Sequence, residues 1–332
     1  MRDILIINKF KKTSFALACS LAAVLLASSG CAKKLEQGDP GPVLALLRCA
    51  GTCSAATVNT DFSAPVKVTI SGYTGAHAME PFITRDGNYL FFNSLNDGID
   101  TSLYYAAKGA DDVTFDFVDE IGNVNGGPGN HLDAVASMDN SDKFYYISVR
   151  NWPDEIRNVY TGTFSEATGV GNGLVNLDGD FYIDRPGWII MDGEISPDGL
   201  HYYFVNAHFS GGAVPDRSDI GIAEYASANT FNRIANNDAI MAAVNTTRCL
   251  EYAPSISADG LELFFTRLDL CAVTSEILVS TRATTADPFG EPARIGAISG
   301  FVEAPSISSD GKKLYYHMND GGAYTIYLVT RL

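Results

Sequence analysis

One phrase recurs five times along this chain. "EAPSISSDGKKLYY" at residues 303–316 repeats "EYAPSISADGLELFF" at 251–265, and the same grammar runs through "EPFITRDGNYLFFNS" around Asp86, "DAVASMDNSDKFYYIS" around Asp139 and "DGEISPDGLHYYFVN" around Asp198. Aligned on those aspartates and on Asp259 and Asp310, the copies lie 53, 59, 61 and 51 residues apart. A period of this length marks a supersecondary unit that cannot bury its apolar surface alone, so neighbouring copies must stack. Within each copy, a run ending in Ser or Thr meets a turn signal and then an apolar or aromatic run. Asp-Gly supplies the positive φ that a tight hairpin needs, and in the second copy Asn140 after Asp139 tolerates the same conformation. Third strands follow as "SLYYA", "NVYTGTF", "IGIAEY", "EILVST" and "TIYLVT", and weaker fourth strands follow in the first four copies. The fifth copy reaches Leu332 after its third strand, while "APVKVTISG" at 64–72 reads as the missing fourth. The expected fold is all-β: a five-bladed β-propeller of four-stranded antiparallel blades over residues 64–332, its last blade closed by an N-terminal strand.

The hairpin turn at Asp259-Gly260 also suggests a cysteine pairing. Extending both arms from that turn brings Cys249 and Cys271 to neighbouring positions, so bridges Cys249–Cys271 and Cys49–Cys53 are expected. The short CxxC spacing of a structural zinc site is absent from these pairs.

Ahead of the repeats, Lys9, Lys11 and Lys12 precede the apolar run "SFALACSLAAVLLA", and "SSGC" follows. This pattern resembles a bacterial lipoprotein export signal over residues 1–30, with Cys31 as the lipidated first residue of the mature chain. Residues 31–63, with "AKKLEQGDPGP" directly after Cys31, then read as a tether. Removing residues 1–30 takes Arg2, Lys9, Lys11, Lys12 and Asp3 from a net charge of −16, leaving −19. Such a surface repels nucleic acid and anionic headgroups, so membrane attachment is expected through the lipid alone. The expected location is the outer membrane or cell surface, as a monomer.

The phrases "APSISADG", "APSISSDG" and "EISPDGLHYYFVN" resemble the TolB-type propeller repeat, a relative of the WD repeat, over about residues 64–332. The resemblance implies an envelope propeller, a fold that mostly serves as a rigid, non-enzymatic binding platform for a protein or glycan partner.

In a propeller the innermost strand of each blade faces the central channel. Acidic residues recur at its leading end: Glu80, Asp133, Asp192 with Glu194, Glu251 and Glu303, and His77 and His131 lie just before two of them. Together they predict a carboxylate-lined mouth for a cation, a cationic partner or a sugar; the alternative is that they accept hydrogen bonds from neighbouring blades. Converging carboxylates raise one another's pKa, which is also how a general acid is made. "VEAPSISSDGKKLYY" is similar to the acid-bearing phrase of five-bladed arabinanase-type and β-xylosidase-type glycosidases. That resemblance implies a rival reading as a glycoside hydrolase drawing carboxylates from Glu80, Asp133, Asp192, Glu194 and Glu303. No cofactor is expected; Asp178, Asp180 and Asp184 have calcium-like spacing without a full EF-hand loop.

Overall fold

The structure is a computed structural model that describes residues 53–98, 100–126, 132–211 and 214–332. The export signal, Cys31, Cys49 and His131 lie outside the described residues. An N-terminal segment carries β1 (Thr57–Asn59), β2 (Val66–Lys67) and β3 (Thr69–Ser71). Blade one is β4 (Met79–Ile83), β5 (Tyr89–Asn93), β6 (Leu103–Lys108) and β7 (Thr114–Glu120). Blade two is β8 (Asp133–Met138), β9 (Lys143–Ser148), β10 (Val159–Ser165) and β11 (Val170–Asn176), followed by the short β12 (Asp178–Gly179). Blade three is β13 (Trp188–Ile195), β14 (His201–His208), β15 (Arg217–Ser227) and β16 (Thr230–Arg233), followed by helix α1 (Asn237–Ile240). Blade four is β17 (Leu250–Ile256), β18 (Glu262–Asp269), β19 (Thr274–Thr281) and β20 (Ala293–Ile295), and blade five is β21 (Val302–Ile307), β22 (Lys313–Asp320) and β23 (Ala323–Thr330).

Within each blade these strands pair antiparallel in sequence order, and β2 pairs antiparallel with β23 to close blade five. The ring is therefore the expected five-bladed propeller. Three blades carry one strand more than expected, because β1, β3 and β12 add parallel to the outer edges of β20, β7 and β16. Residues 57–71 thus run as a strap across blades four, five and one, covering strand edges that would otherwise offer unpaired backbone groups.

Each blade is buried on both faces, which is why its second strand reads as a continuous aromatic run. In β5, Phe91 packs toward blade two while Leu90 and Phe92 pack toward blade five. In β22, Leu314 and Tyr316 face blade four, and Tyr315 faces blade one. The apolar core accordingly divides into clusters lying at the seams between adjacent blades. At roughly 25 cal/mol per Å² of apolar surface removed from water, these seams are the main source of stability.

The cysteine pairing differs from expectation: Cys249 is bonded to Cys53, whose Cα lies 5.8 Å away. A bulge in β17 shifts its register with β18 by one residue, so Glu251 pairs with Arg267 and Leu250 with Leu268. Cys271 then falls past the end of β18, in the turn before β19, and is carried away from Cys249. Cys271 is itself disulfide-bonded, and not to Cys249. The pairings Cys49–Cys53 and Cys249–Cys271 are both excluded by the Cys53–Cys249 bond.

Candidate functional site at the channel mouth

The repeated "SIS" explains how the blades are held around the channel. Its second Ser belongs to the hairpin: Ser308 Oγ donates to Asp310 at 2.5 Å and accepts the Lys313 amide at 3.0 Å, and Ser257, Ser196 and Thr84 do the same in their blades. Its first Ser reaches the next blade. Ser255 Oγ accepts the Ile307 amide at 3.0 Å, Ser306 Oγ accepts the Ile83 amide at 3.1 Å, and Ser137 Oγ accepts the Ile195 amide at 3.3 Å. Glu194 occupies the same place in blade three and accepts the Ile256 amide at 3.1 Å. Its extra charge is met by Arg85 of blade one at 3.1 Å, and that guanidinium also donates to the carbonyls of Met138 and Ile195. Glu194 is therefore a link in the inter-blade ring, and Arg85 crosses the channel at that level.

Blade two had been aligned on Asp139, but Asp139 occupies the place of the hairpin Ser. Its amide donates to the Lys143 carbonyl, and its Oδ1 accepts the amides of Ser141 and Lys143. Ser141 is the counterpart of the turn aspartates. Asp133 consequently lies eight residues before the turn position, as Glu251 does before Asp259, and these two carboxylates are equivalent. Both are fully buried and stapled. Asp133 pairs with Arg150 and accepts the Gly126 amide; Arg150 also donates to the Val124 carbonyl. Glu251 pairs with Arg267 at 2.8 Å and accepts the amide and hydroxyl of Thr246, and Arg267 also donates to the Val244 carbonyl. Burial pushes the Glu251 carboxyl up to about 7 despite the arginine beside it, and it raises Asp133 likewise. With their oxygens committed to loop amides and arginines, Asp133 and Glu251 anchor blades two and four and leave the mouth.

Three of the candidate carboxylates do converge. Glu80 of blade one, Asp192 of blade three and Glu303 of blade five line one cavity of about 50 Å³, together with Tyr252 and His317. The inner strand of every blade carries a bulge near this level. In blade one the bulge places Glu80 at φ 50°, a conformation uncommon for a side chain other than Gly, Asn or Asp. Bulges of this kind re-aim a side chain out of the regular alternation.

The hydrogen bonds fix the imidazole tautomer. The Glu80 amide donates to His317 Nδ1 at 3.0 Å, so Nδ1 is an acceptor and Nε2 carries the proton that points at Glu303 Oε2, 3.3 Å away. Tyr252 donates to the other oxygen of Glu303. Asn96 donates to the Glu80 carboxylate at 3.1 and 3.3 Å. Burial raises the pKa of Glu80, with the Glu303 charge adding to it. Burial, and then the nearby Glu80 charge, hold Asp192 well above the usual carboxylate range. Asp192 is 4% exposed, and its Oδ2 is buried without a hydrogen-bond partner among the described residues.

The other candidates fall elsewhere. His77 lines a separate shallow pocket, where its Nδ1 accepts the Tyr324 amide. Asp178 pairs with Arg157 and Asp180 accepts the Arg233 amide, and no group of three or more His, Cys, Asp or Glu among the described residues is placed to hold a metal ion. Reasoning from the sequence missed His317, Tyr252 and Asn96. His317 had a visible signal, as the one ionisable residue at a position that "KLYYHM" shares with Asn93, Ile147, Val205 and Thr266 of the other second strands.

No family model matches the sequence, and no curated protein is detectably similar. Solved structures share the fold. A family 117 glycoside hydrolase from Zobellia galactanivorans superposes with a TM-score of 0.53 at 8% identity, over 82% of this chain and 90% of that one. The catalytic domain of a Coprinopsis cinerea GH62 α-L-arabinofuranosidase gives 0.50 at 11%, over 83% and 98%. TolB from Acinetobacter baumannii gives 0.42 at 13%, over 76% of this chain and 54% of the TolB chain. The protein is thus a five-bladed β-propeller, a fold it shares with these glycoside hydrolases.

Proposed function

We propose that the protein is an exported propeller, held to the outer membrane or cell surface by a lipid on Cys31, that binds a cationic group of a protein or glycan partner at Glu80, Asp192 and Glu303. The observation that carries this reading is the unpartnered Oδ2 of Asp192, buried beside two further carboxylates in a cavity sized for a small group. Three acidic side chains from three blades, gathered in a partly apolar mouth, are costly unless protonated or met by positive charge. A cationic partner resolves that cost. Its binding should release protons from Asp192 and Glu80, so affinity should rise with pH above the ordinary carboxylate range.

A second reading, glycoside hydrolysis, is favoured by the raised pKa of Asp192 and Glu80 beside Glu303, the pairing of acid and base that such chemistry uses. The narrow cavity and the commitment of both Glu303 oxygens to Tyr252 and His317 favour the binding reading over it. One experiment separates the two. Chito-oligosaccharides, oligolysine, arabinan and xylan are incubated with the wild type and with Glu303→Gln, and both binding and release of reducing ends are measured. Binding of the amino-bearing probes without new reducing ends supports the proposal. Release that Glu303→Gln abolishes would establish the hydrolase instead. Fractionation of cells expressing Cys31→Ser should find the protein released from the membrane fraction; retention there would refute the lipid tether.

A further inference from the structure

A second cavity, of about 680 Å³, opens beside blades three and four and shares no lining residue with the channel mouth. Its size falls in the about 300–1,000 Å³ range of small-molecule sites. On a chain of net charge −16, its wall gathers Arg185, Arg217 and Arg233. Arg217 is paired with Asp219 at 2.6 Å and Arg233 with Asp238 at 2.8 Å. Arg185 has no ion pair among the described residues. The wall therefore carries one guanidinium without a countercharge, and guanidinium is the group best shaped to take a carboxylate through two parallel hydrogen bonds.

Two further features narrow the ligand. Trp188 lines the cavity only partly buried, with Arg217 5.8 Å from its ring centre. The His208 ring lies 5.1 Å from the same centre, and the indole surface left by these two neighbours is the part of the wall a ligand ring can touch. Asn206, 4% exposed, also lines the cavity. Its Nδ2 donates to the Phe181 carbonyl at 3.1 Å, which fixes the amide orientation, and leaves Oδ1 buried with no donor among the described residues. Buried acceptors are almost always satisfied. A ligand hydroxyl would satisfy this one.

We infer that this cavity binds a singly charged acidic sugar, a uronic acid unit of a saccharide, with its carboxylate on Arg185, its ring against Trp188 and a hydroxyl donating to Asn206 Oδ1. A nucleotide fits less well, because its phosphates bring two or more negative charges to one uncompensated guanidinium. The inference is independent of the channel mouth.

The test is calorimetric titration of the folded protein with trigalacturonate, neutral galactotriose and inorganic phosphate. Trigalacturonate should bind at least about tenfold more tightly than either control, the scale of one charge-assisted hydrogen bond. Arg185→Ala should cost about tenfold or more, with partial rescue by Arg185→Lys. Arg185 is exposed and unpaired among the described residues, so its loss should leave the melting temperature unchanged; Trp188→Ala, checked for folding by circular dichroism, should weaken trigalacturonate and leave phosphate unaffected. Glu80→Gln, whose side chain lines the other cavity, should leave trigalacturonate affinity unchanged. Equal affinity for galactotriose or for phosphate would overturn the inference, as would wild-type affinity in a folded Arg185→Ala.

Discussion

Asp192 shows how a single buried carboxyl couples function to stability. Its pKa in the folded protein lies well above the ordinary 3.8, because of burial and the neighbouring Glu80. Well below pH 3.8, folded and unfolded chains hold similar numbers of protons at this group. As pH rises, the unfolded carboxyl ionises first, so the unfolded state is increasingly favoured until the folded pKa is passed. Asp192→Asn removes that penalty. It should be more stable than the wild type at pH 8, with the difference shrinking as the pH falls toward 3, as read from urea unfolding at both values. A variant that is less stable at pH 8 would show that Asp192 is held by partners the account has missed.

At the scale of elements, the same residue type does three jobs according to where the inner strand places it. Eight residues before the turn position, Asp133 and Glu251 clamp a loop through an arginine. At the inter-blade ring, Glu194 replaces a serine. At the bulge, Glu80 and Asp192 face the cavity. Arg267→Ala leaves Glu251 buried without its countercharge, which should cost about 3–5 kcal/mol at pH 8. At pH 5 the loss should be smaller, because Glu251, already pushed up to about 7 with the arginine present, is protonated there. A loss that does not depend on pH would mean that packing of the arginine side chain, rather than its charge, holds the loop. These roles were only partly legible in the sequence. Aspartates spaced by the repeat were visible, but the shorter turn of blade two put Asp139 in the place of a serine and concealed the equivalence of Asp133 with Glu251. The bulge of β17, which also moved Cys271 out of reach of Cys249, leaves no residue signature that distinguishes it from a regular strand.

At the scale of the whole molecule, the ring was legible because its information is repeated. Four hairpins with the same turn chemistry and a fifth with a shorter turn, aromatic strands buried on both faces and a spare strand at 64–72 admit few arrangements. The added edge strands were not legible: β1 and β3 of the strap, and β12 after blade two, are two or three residues long, and their edge pairing depends on where distant blades lie. The Cys53–Cys249 bond fixes this strap to blade four across a sequence separation of 196. Closing so long a loop restricts the unfolded chain by about 5 kcal/mol in the chain-entropy account. Cys53→Ser with Cys249→Ser should therefore lower the unfolding free energy by several kcal/mol while leaving the mouth intact; a change of under about 1 kcal/mol would show that strand pairing alone holds the strap.

The central claim is that the six recurring acidic residues divide into a binding mouth of Glu80, Asp192 and Glu303 and a structural set of Asp133, Glu194 and Glu251. Calorimetric titration of oligolysine and chito-oligosaccharide at pH 7.5 tests it directly, using Glu80→Gln, Asp192→Asn and Glu303→Gln against Glu194→Gln and Glu251→Gln. The account predicts that each of the first three weakens binding while the other two bind as the wild type wherever they remain folded. Equal loss in Glu251→Gln, or unchanged binding in all three mouth variants, would contradict it.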